Sequence, residues 1–158
     1  MYMKKDISIL IDDIKLNVRV SAFITCGDYV LLQSDPEAGF YYLPGGRVKL
    51  NESSVDAIKR EIFEELDFNV ENPKLFYYVE NFFNHNQTNF HELLYIFSVE
   101  LSQDEFDKLN NFKVKDKQTS KVYWVHKDEY KQLDCKPTLV KNLFEVDKKT
   151  LHHIIHND

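Results

Sequence analysis

Gly46-Arg47-Val48-Lys49-Leu50-Asn51-Glu52-Ser53-Ser54-Val55-Asp56-Ala57-Ile58-Lys59-Arg60-Glu61-Ile62-Phe63-Glu64-Glu65-Leu66 is the stretch on which the reading of this chain turns. Its spacing predicts a helix over Asn51 to Leu66. Ser53 is a good N-cap, and Asp56 follows at capping-box distance, which fixes the helix start. Val55, Ile58, Ile62 and Leu66 fall in one stripe at the helical period and are expected to face the core. Glu61, Glu64 and Glu65 gather on a different face.

That gathering opposes the helix it belongs to. Like charges at i,i+4 cost roughly 0.2–0.5 kcal/mol per pair, and these carboxylates also sit near the negative end of the helix dipole. Arg60 can reach Glu64, but in the poorer orientation, with the cation N-terminal. A hard divalent cation would turn the cost into a binding site, since Mg²⁺ selects carboxylate oxygens. The plain alternative is a solvated acidic face. The Gly45-Gly46 turn just upstream favours the metal, because glycine lets backbone come close to a ligand.

Outward from this helix, the N-terminal side alternates as a strand from Ile14 to Ile24, turns at Cys26-Gly27-Asp28, and returns over Tyr29 to Gln33. A loop, Ser34 to Phe40, leads to Tyr41-Tyr42-Leu43-Pro44-Gly45-Gly46. On the C-terminal side, two β-rich stretches, Leu75 to Phe83 and Phe90 to Leu101, are joined by the polar run Asn84 to Asn89. A short strand, Lys121 to Val125, precedes weak helical patterns at Lys127 to Leu133 and Thr138 to Phe144. Hairpin-like strands around one strong helix indicate an α+β fold with a mixed sheet rather than regular βαβ repetition. With 158 residues and no linker-like tract, the whole chain, 1–158, is expected to form one domain.

Composition narrows the function. A formal charge of −6 argues against gripping duplex nucleic acid through its phosphates, yet not against a small phosphate ligand, whose sign a bound cation can offset. Cys26 and Cys135 are far apart and read as two small buried hydrophobes in a reducing compartment. Neither a signal-peptide pattern nor an apolar run of membrane-spanning length is present. The expectation is a cytoplasmic protein without a membrane partner.

The helix and its lead-in resemble the signature of the Nudix hydrolases, the MutT-like family: Gly, five residues, Glu, seven residues, Arg-Glu, an aliphatic, any residue, Glu-Glu, any residue, Gly, an aliphatic. Gly46, Glu52, Arg60, Glu61, Ile62, Glu64 and Glu65 match in type and spacing, and Phe68 fills the last apolar place. Leu43-Pro44-Gly45-Gly46 resembles the family's Leu-Pro-Gly-Gly lead-in. Asp67 departs, standing where the family has Gly at the helix end, and Asn51 is a milder change from Gly.

The resemblance implies a Nudix-type α/β/α sandwich and a metal-dependent pyrophosphohydrolase acting on a nucleoside diphosphate linked to another moiety. It implies that Glu61, Glu64 and Glu65 bind Mg²⁺ or Mn²⁺, with the Gly45 carbonyl as a further ligand. Glu52 and Arg60 would form a pair holding the loop to the helix, although Arg60 is also placed in the catalytic set. Glu61, Glu80 and Glu92 are candidates for the general base. Arg19, a cation mid-strand, needs a partner, either a substrate phosphate or an internal carboxylate. Tyr41 and Gly46 would contact substrate, although Tyr41 at strand spacing also suits the core. The cluster Phe76, Tyr77, Tyr78, Phe82 and Phe83 could stack a base but equally suits a core. His152, His153 and His156 read as a frayed or edge-strand tail rather than a metal tract.

The expected partner is a small nucleotide-derived substrate, met by a monomer or homodimer. The short chain tilts the expectation toward nucleoside triphosphates or small dinucleotides. An RNA-end pyrophosphohydrolase would call for a more basic surface. The rival from another class is a Nudix-fold module that binds a nucleotide without cleaving it. A lost box glutamate would favour that rival, and none is lost.

Overall fold

The apolar alternation that begins at Ile14 produces the strand around which the sheet is assembled. In the structure, a computed structural model describing residues 3–34, 37, 39–110 and 121–158, the chain forms β1 (Ser8–Ile11), β2 (Ile14–Cys26), β3 (Tyr29–Ser34), β4 (Tyr41–Tyr42) and β5 (Gly45–Arg47). Helix α1 (Ser54–Leu66) follows, then the hairpin β6 (Lys74–His85) and β7 (Thr88–Glu100), and α2 (Gln103–Asn110). The rest comprises β8 (Lys121–His126), α3 (Lys127–Tyr130), a 3-10 helix (Thr138–Glu145) and β9 (His152–Asn157). Within the expected loop Ser34 to Phe40, Asp35, Pro36 and Ala38 lie outside the described residues.

The strands form one sheet in the order β4-β3-β2-β7-β6-β9, with β1 and β5 also on β2 and β8 also on β3. The ladders β2–β7 and β6–β9 are parallel and the others antiparallel, so the sheet is mixed as expected. The polar run between β6 and β7 closes as a tight hairpin because Asn86 and Gln87 both take positive φ, 50° and 64°, the two-residue geometry that matches strand twist.

Period-two alternation divides the core into two. On one face Val20, Ala22, Ile24 and Leu31 pack with Ala57, Ile58, Ile62 and Leu66 of α1 and Leu109 of α2. On the other, Phe23, Val30, Leu32, Phe76, Val79, Leu94 and Ile96 pack with Tyr130, Val140 and Leu143. Burying these side chains is the main driving force of the fold. Tyr130, fully buried, satisfies its hydroxyl by donating to the Val140 carbonyl, and burial raises its pKa.

Two local readings are corrected. Val55 is 41% exposed, because it lies in the first turn, before the buried set that begins at Ala57. Glu65 is 6% exposed: it stands seven residues after Ile58, which returns it to the inward stripe rather than the acidic face. The weak helical pattern over Thr138 to Phe144 forms a 3-10 helix, Thr138–Glu145. Strand β1 and helix α2 are additions, and the histidine tail is the edge strand β9. Cys26 and Cys135 are both free, and burial pushes the Cys135 thiol up to about 11. No helix among the described residues is long and apolar enough to cross a membrane.

Candidate active site

The lead-in to α1 is drawn together by one guanidinium. Arg60 donates from Nε to Glu52 Oε1 at 2.7 Å and from Nη2 to Glu52 Oε2 at 2.9 Å. Nη2 also reaches the Arg47 carbonyl at 3.0 Å. Glu52 Oε2 accepts from the Lys49 backbone N–H at 2.8 Å. Ser53 caps the helix by accepting from Asp56 N at 3.0 Å. The hydrogen bond from Arg60 holds the Glu52 carboxyl below the usual carboxylate range, while the bond to Glu52, and then the one to Glu61, hold Arg60 charged. A planar fork matched to a carboxylate is the strong form of such a pair.

The same guanidinium collects the acidic face. Its Nη1 lies 2.6 Å from Glu61 Oε1 and 3.2 Å from Glu64 Oε2, so two carboxylates converge on one cationic nitrogen. The Glu61 side chain is 14% exposed and that of Glu64 43%. Glu65 is turned inward, where its Oε2 accepts from Gln33 Nε2 at 2.8 Å. Among the described residues no group of three or more His, Cys, Asp or Glu side chains is gathered tightly enough to hold a metal ion.

Both glycines are required by close approach. A Cβ on Gly45 would fall onto the Val20 carbonyl, and one on Gly46 onto the Glu61 carboxyl group. Glu61 therefore rests against the Gly46 backbone. At the helix end Asp67 takes φ 52°, ψ 33°, and its N–H bonds the Phe63 carbonyl. Asn51, in the lead-in, has φ 59°.

A cavity of about 500 Å³ opens on the sheet face that carries Arg19, a size suited to a small-molecule ligand. Arg19 and Arg47 are register partners on β2 and β5 and both line it. Arg47 lies only within 3.9 Å of Asp6, and Arg19 makes no ion pair among the described residues. Glu92 is 5% exposed and faces this cavity with Asn17 and Asn81. Phe40 and Tyr42 line it, whereas Tyr41 packs toward the core and against Tyr123. Of the aromatic cluster, only Phe83 lines the cavity, stacked on Phe90 at 4.8 Å; Phe76 is core. Glu80 is paired with His153 at 2.7 Å on β6 and β9.

The structure thus brings together Glu52, Arg60, Glu61 and Glu64 at the helix, and Arg19 and Glu92 in the cavity. Sequence reasoning missed Gln33, Asn17 and Asn81. Gln33 and Asn81 each stand as a lone polar side chain in the inward phase of an apolar strand, whereas Asn17 shares its face of β2 with Arg19 and Ser21.

A family model for the NUDIX domain matches residues 15–146. The chain belongs to the Nudix hydrolase family. Among solved structures it is similar to a MutT protein from Bacillus halodurans, at 22% identity over 89% of each chain with a TM-score of 0.68. It is similar to a MutT protein from Methanosarcina mazei at 21% identity, covering 82% of this chain and 91% of that one, TM-score 0.61. A NUDIX hydrolase from Nitrosomonas europaea matches at 20% identity over 90% of this chain and 79% of that one, TM-score 0.61. These likenesses show the Nudix fold. No curated protein matches the chain.

Proposed function

We propose that this Nudix hydrolase is a divalent-metal-dependent pyrophosphohydrolase cleaving a nucleoside diphosphate linked to another moiety. The observation that carries the reading is the convergence of Glu61 Oε1 and Glu64 Oε2 on Arg60 Nη1. Hard oxygen donors already collected around a positive charge suit Mg²⁺ or Mn²⁺. Glu61, Glu64 and the Gly45 carbonyl would hold the ion, joined by Glu65 if it leaves Gln33. Such an ion supplies charge neutralisation for the diphosphate and Lewis acidity toward the nucleophile.

The chain's own groups do the rest. Arg19 and Arg47, register partners that line the cavity, the first without an ion pair among the described residues and the second no closer than 3.9 Å to Asp6, suit the phosphates of a substrate whose organic part enters the cavity beside Phe40, Tyr42 and Phe90. Water attacks phosphorus in line, the new P–O bond forms as the anhydride P–O bond breaks, and Glu61 or Glu64 accepts the water proton. Arg60 and Glu52 hold the loop against the helix and so keep those carboxylates in place. We assign the organic part to the cavity, and with it Glu92 to recognition rather than proton transfer. One domain, a small-molecule partner and a reducing, cytoplasmic setting complete the reading.

The test is hydrolysis of a panel of nucleoside di- and triphosphates, nucleotide sugars and dinucleotides in ¹⁸O water. Label should enter a phosphate product, and turnover should stop with EDTA and return with excess Mg²⁺ or Mn²⁺. Saturable binding without product across the panel would overturn the enzyme reading in favour of a binding module.

A further inference from the structure

The side of the sheet that carries α1, opposite the cavity, is covered only in part. Along β2 the side chains on that side begin with Ile24, Ala22 and Val20, all fully buried. They pass through half-buried Val18 and Leu16 to Ile14, which is 45% exposed. Strand register carries this open end sideways. Ile9 and Ile11 of β1 stand opposite Leu16 and Ile14 and are 47% and 57% exposed. Leu93 of β7 stands beside Val18, Glu80 of β6 beside Leu93, and Ile155 of β9, 67% exposed, beside Glu80. The next row toward α1 is aromatic, with Tyr78 5.1 Å from Tyr95 and 5.2 Å from His153 between ring centroids. Among the described residues, these five strands set no lysine or arginine on this side, and their one carboxylate, Glu80, is paired with His153 at 2.7 Å.

We propose that this face is where two copies of the chain join, sheet against sheet, in a two-fold dimer. Area is the first argument. At about 200 Å² for a fully exposed large side chain, the open fractions of its apolar residues amount to on the order of 600 Å². A soluble monomer rarely leaves more than a few hundred Å² of contiguous apolar surface bare. A stable interface takes about 800 Å² from each partner, apolar centre and polar rim together. Charge is the second. At a net charge of −6 two copies repel, and least where the facing surfaces carry no net charge, as here. A strongly charged partner would find nothing on this face to recognise. Shape is the third. A two-fold contact needs a patch that complements itself, and two sheets of the same twist pack face to face with their side chains interdigitated. Arg19, Glu92 and the rest of the cavity lie on the other side of the sheet, so both sites stay open and the dimer does not depend on the reaction proposed above.

Sedimentation equilibrium of the full chain tests this. At micromolar concentration the wild type is expected to show twice the chain mass of 18.8 kDa. Ile14→Glu and Ile155→Glu each bury a carboxylate twice in a two-fold contact and are expected to weaken the dimer at least about a hundredfold. Leu10→Glu is the control. Leu10 is 65% exposed between Ile9 and Ile11, but it stands opposite Lys15 and so points to the other side of the sheet. That variant should keep the wild-type mass. If the glutamate variants do not fold, the isoleucine methyl signals of the wild type decide: on dilution those of Ile9, Ile11, Ile14 and Ile155 should shift while that of buried Ile96 stays. A wild type that remains monomeric at millimolar concentration overturns the proposal, and its binding to phosphatidylcholine vesicles would give the face to a lipid surface instead. A dimer weakened by Ile155→Glu alone would be joined through the outer edge of β9, the last strand of the sheet. A dimer that both glutamates leave intact, or that Leu10→Glu weakens equally, would lie elsewhere; each of these outcomes overturns the proposal.

Discussion

Arg60 grips Glu52 with both arms of its guanidinium fork, at 2.7 and 2.9 Å, across the turn that leads into α1. The pair is shielded, with the side chains 20% and 9% exposed, so removing one partner leaves the other charge poorly solvated. Glu52→Gln is expected to cost about 2 kcal/mol at neutral pH, read by urea unfolding. The Glu52 carboxyl has a lowered folded-state pKa. Its contribution to stability is therefore complete above the unfolded value of 4.5 and is lost as pH falls through the lower folded value. The variant's stability should accordingly depend less on pH below about 4.5; an acid limb as steep as the wild type's would refute that.

Glu64, more exposed than Glu61, tests the metal. Glu64→Gln should weaken Mn²⁺ binding and lower hydrolysis by at least about a hundredfold, the scale of a strong electrostatic contribution to a transition state. Titration of Mn²⁺ by electron paramagnetic resonance, with turnover measured in parallel, checks both. Normal affinity with unchanged turnover would remove Glu64 from the site.

The two glycines should fail differently. Gly45→Ala sets a methyl group against the Val20 backbone, which cannot yield without breaking the β2–β5 ladder, so loss of folded protein is expected. Gly46→Ala meets only the Glu61 carboxyl group, a side chain that can swing away. That variant should fold, with a melting temperature near the wild type's, yet bind Mn²⁺ more weakly. The reverse order of damage would mean that Glu61 does not depend on Gly46 for its position.

Much of this was legible in the residues. The signature region announces itself because its chemistry is local: cap, stripe and carboxylates all lie on one helix. Strands β2, β3, β6, β7 and β8 were legible from alternation. Glu65 shows where reading by charge fails. Three glutamates look like one acidic face, but Glu65 shares the angular sector of Ile58 and Ile62, and its inward turn becomes visible only with Gln33 of β3 in place. Strand β1 was not read because most of its apolar residues are exposed, with Leu10 at 65%, so it lacks the alternation of a half-buried strand. The row Asn17, Glu92 and Asn81 joins three strands remote in the chain, and no local pattern links them.

Gln33 offers a further test. Gln33→Leu withdraws the donor from the buried Glu65 carboxylate and should destabilise the metal-free protein by about 1–3 kcal/mol. If Glu65 joins the metal when it binds, excess Mn²⁺ should shrink that difference in thermal unfolding. A difference that persists in full at saturating Mn²⁺ would mean that Glu65 stays with Gln33.

Asp67, at the helix end in the left-handed region, carries a conformational cost that glycine would not. Asp67→Gly is expected to gain roughly 1 kcal/mol, seen as a higher melting temperature with turnover little changed. A lower melting temperature would show that contacts of the Asp67 side chain outweigh its backbone strain.

The long parallel ladder between β2 and β7, from Ile14 opposite Asn89 to Thr25 opposite Glu100, sets a condition on how the molecule is made. Neither strand can satisfy its central edge until the other has been synthesised, and the helix bearing the carboxylates lies between them in the chain. During translation the signature helix therefore waits on an incomplete apolar surface. Refolding dominated by such distant pairings is expected to be slow for a protein of this size. The interval before β7 docks is the one in which the exposed β2 edge invites pairing with another chain.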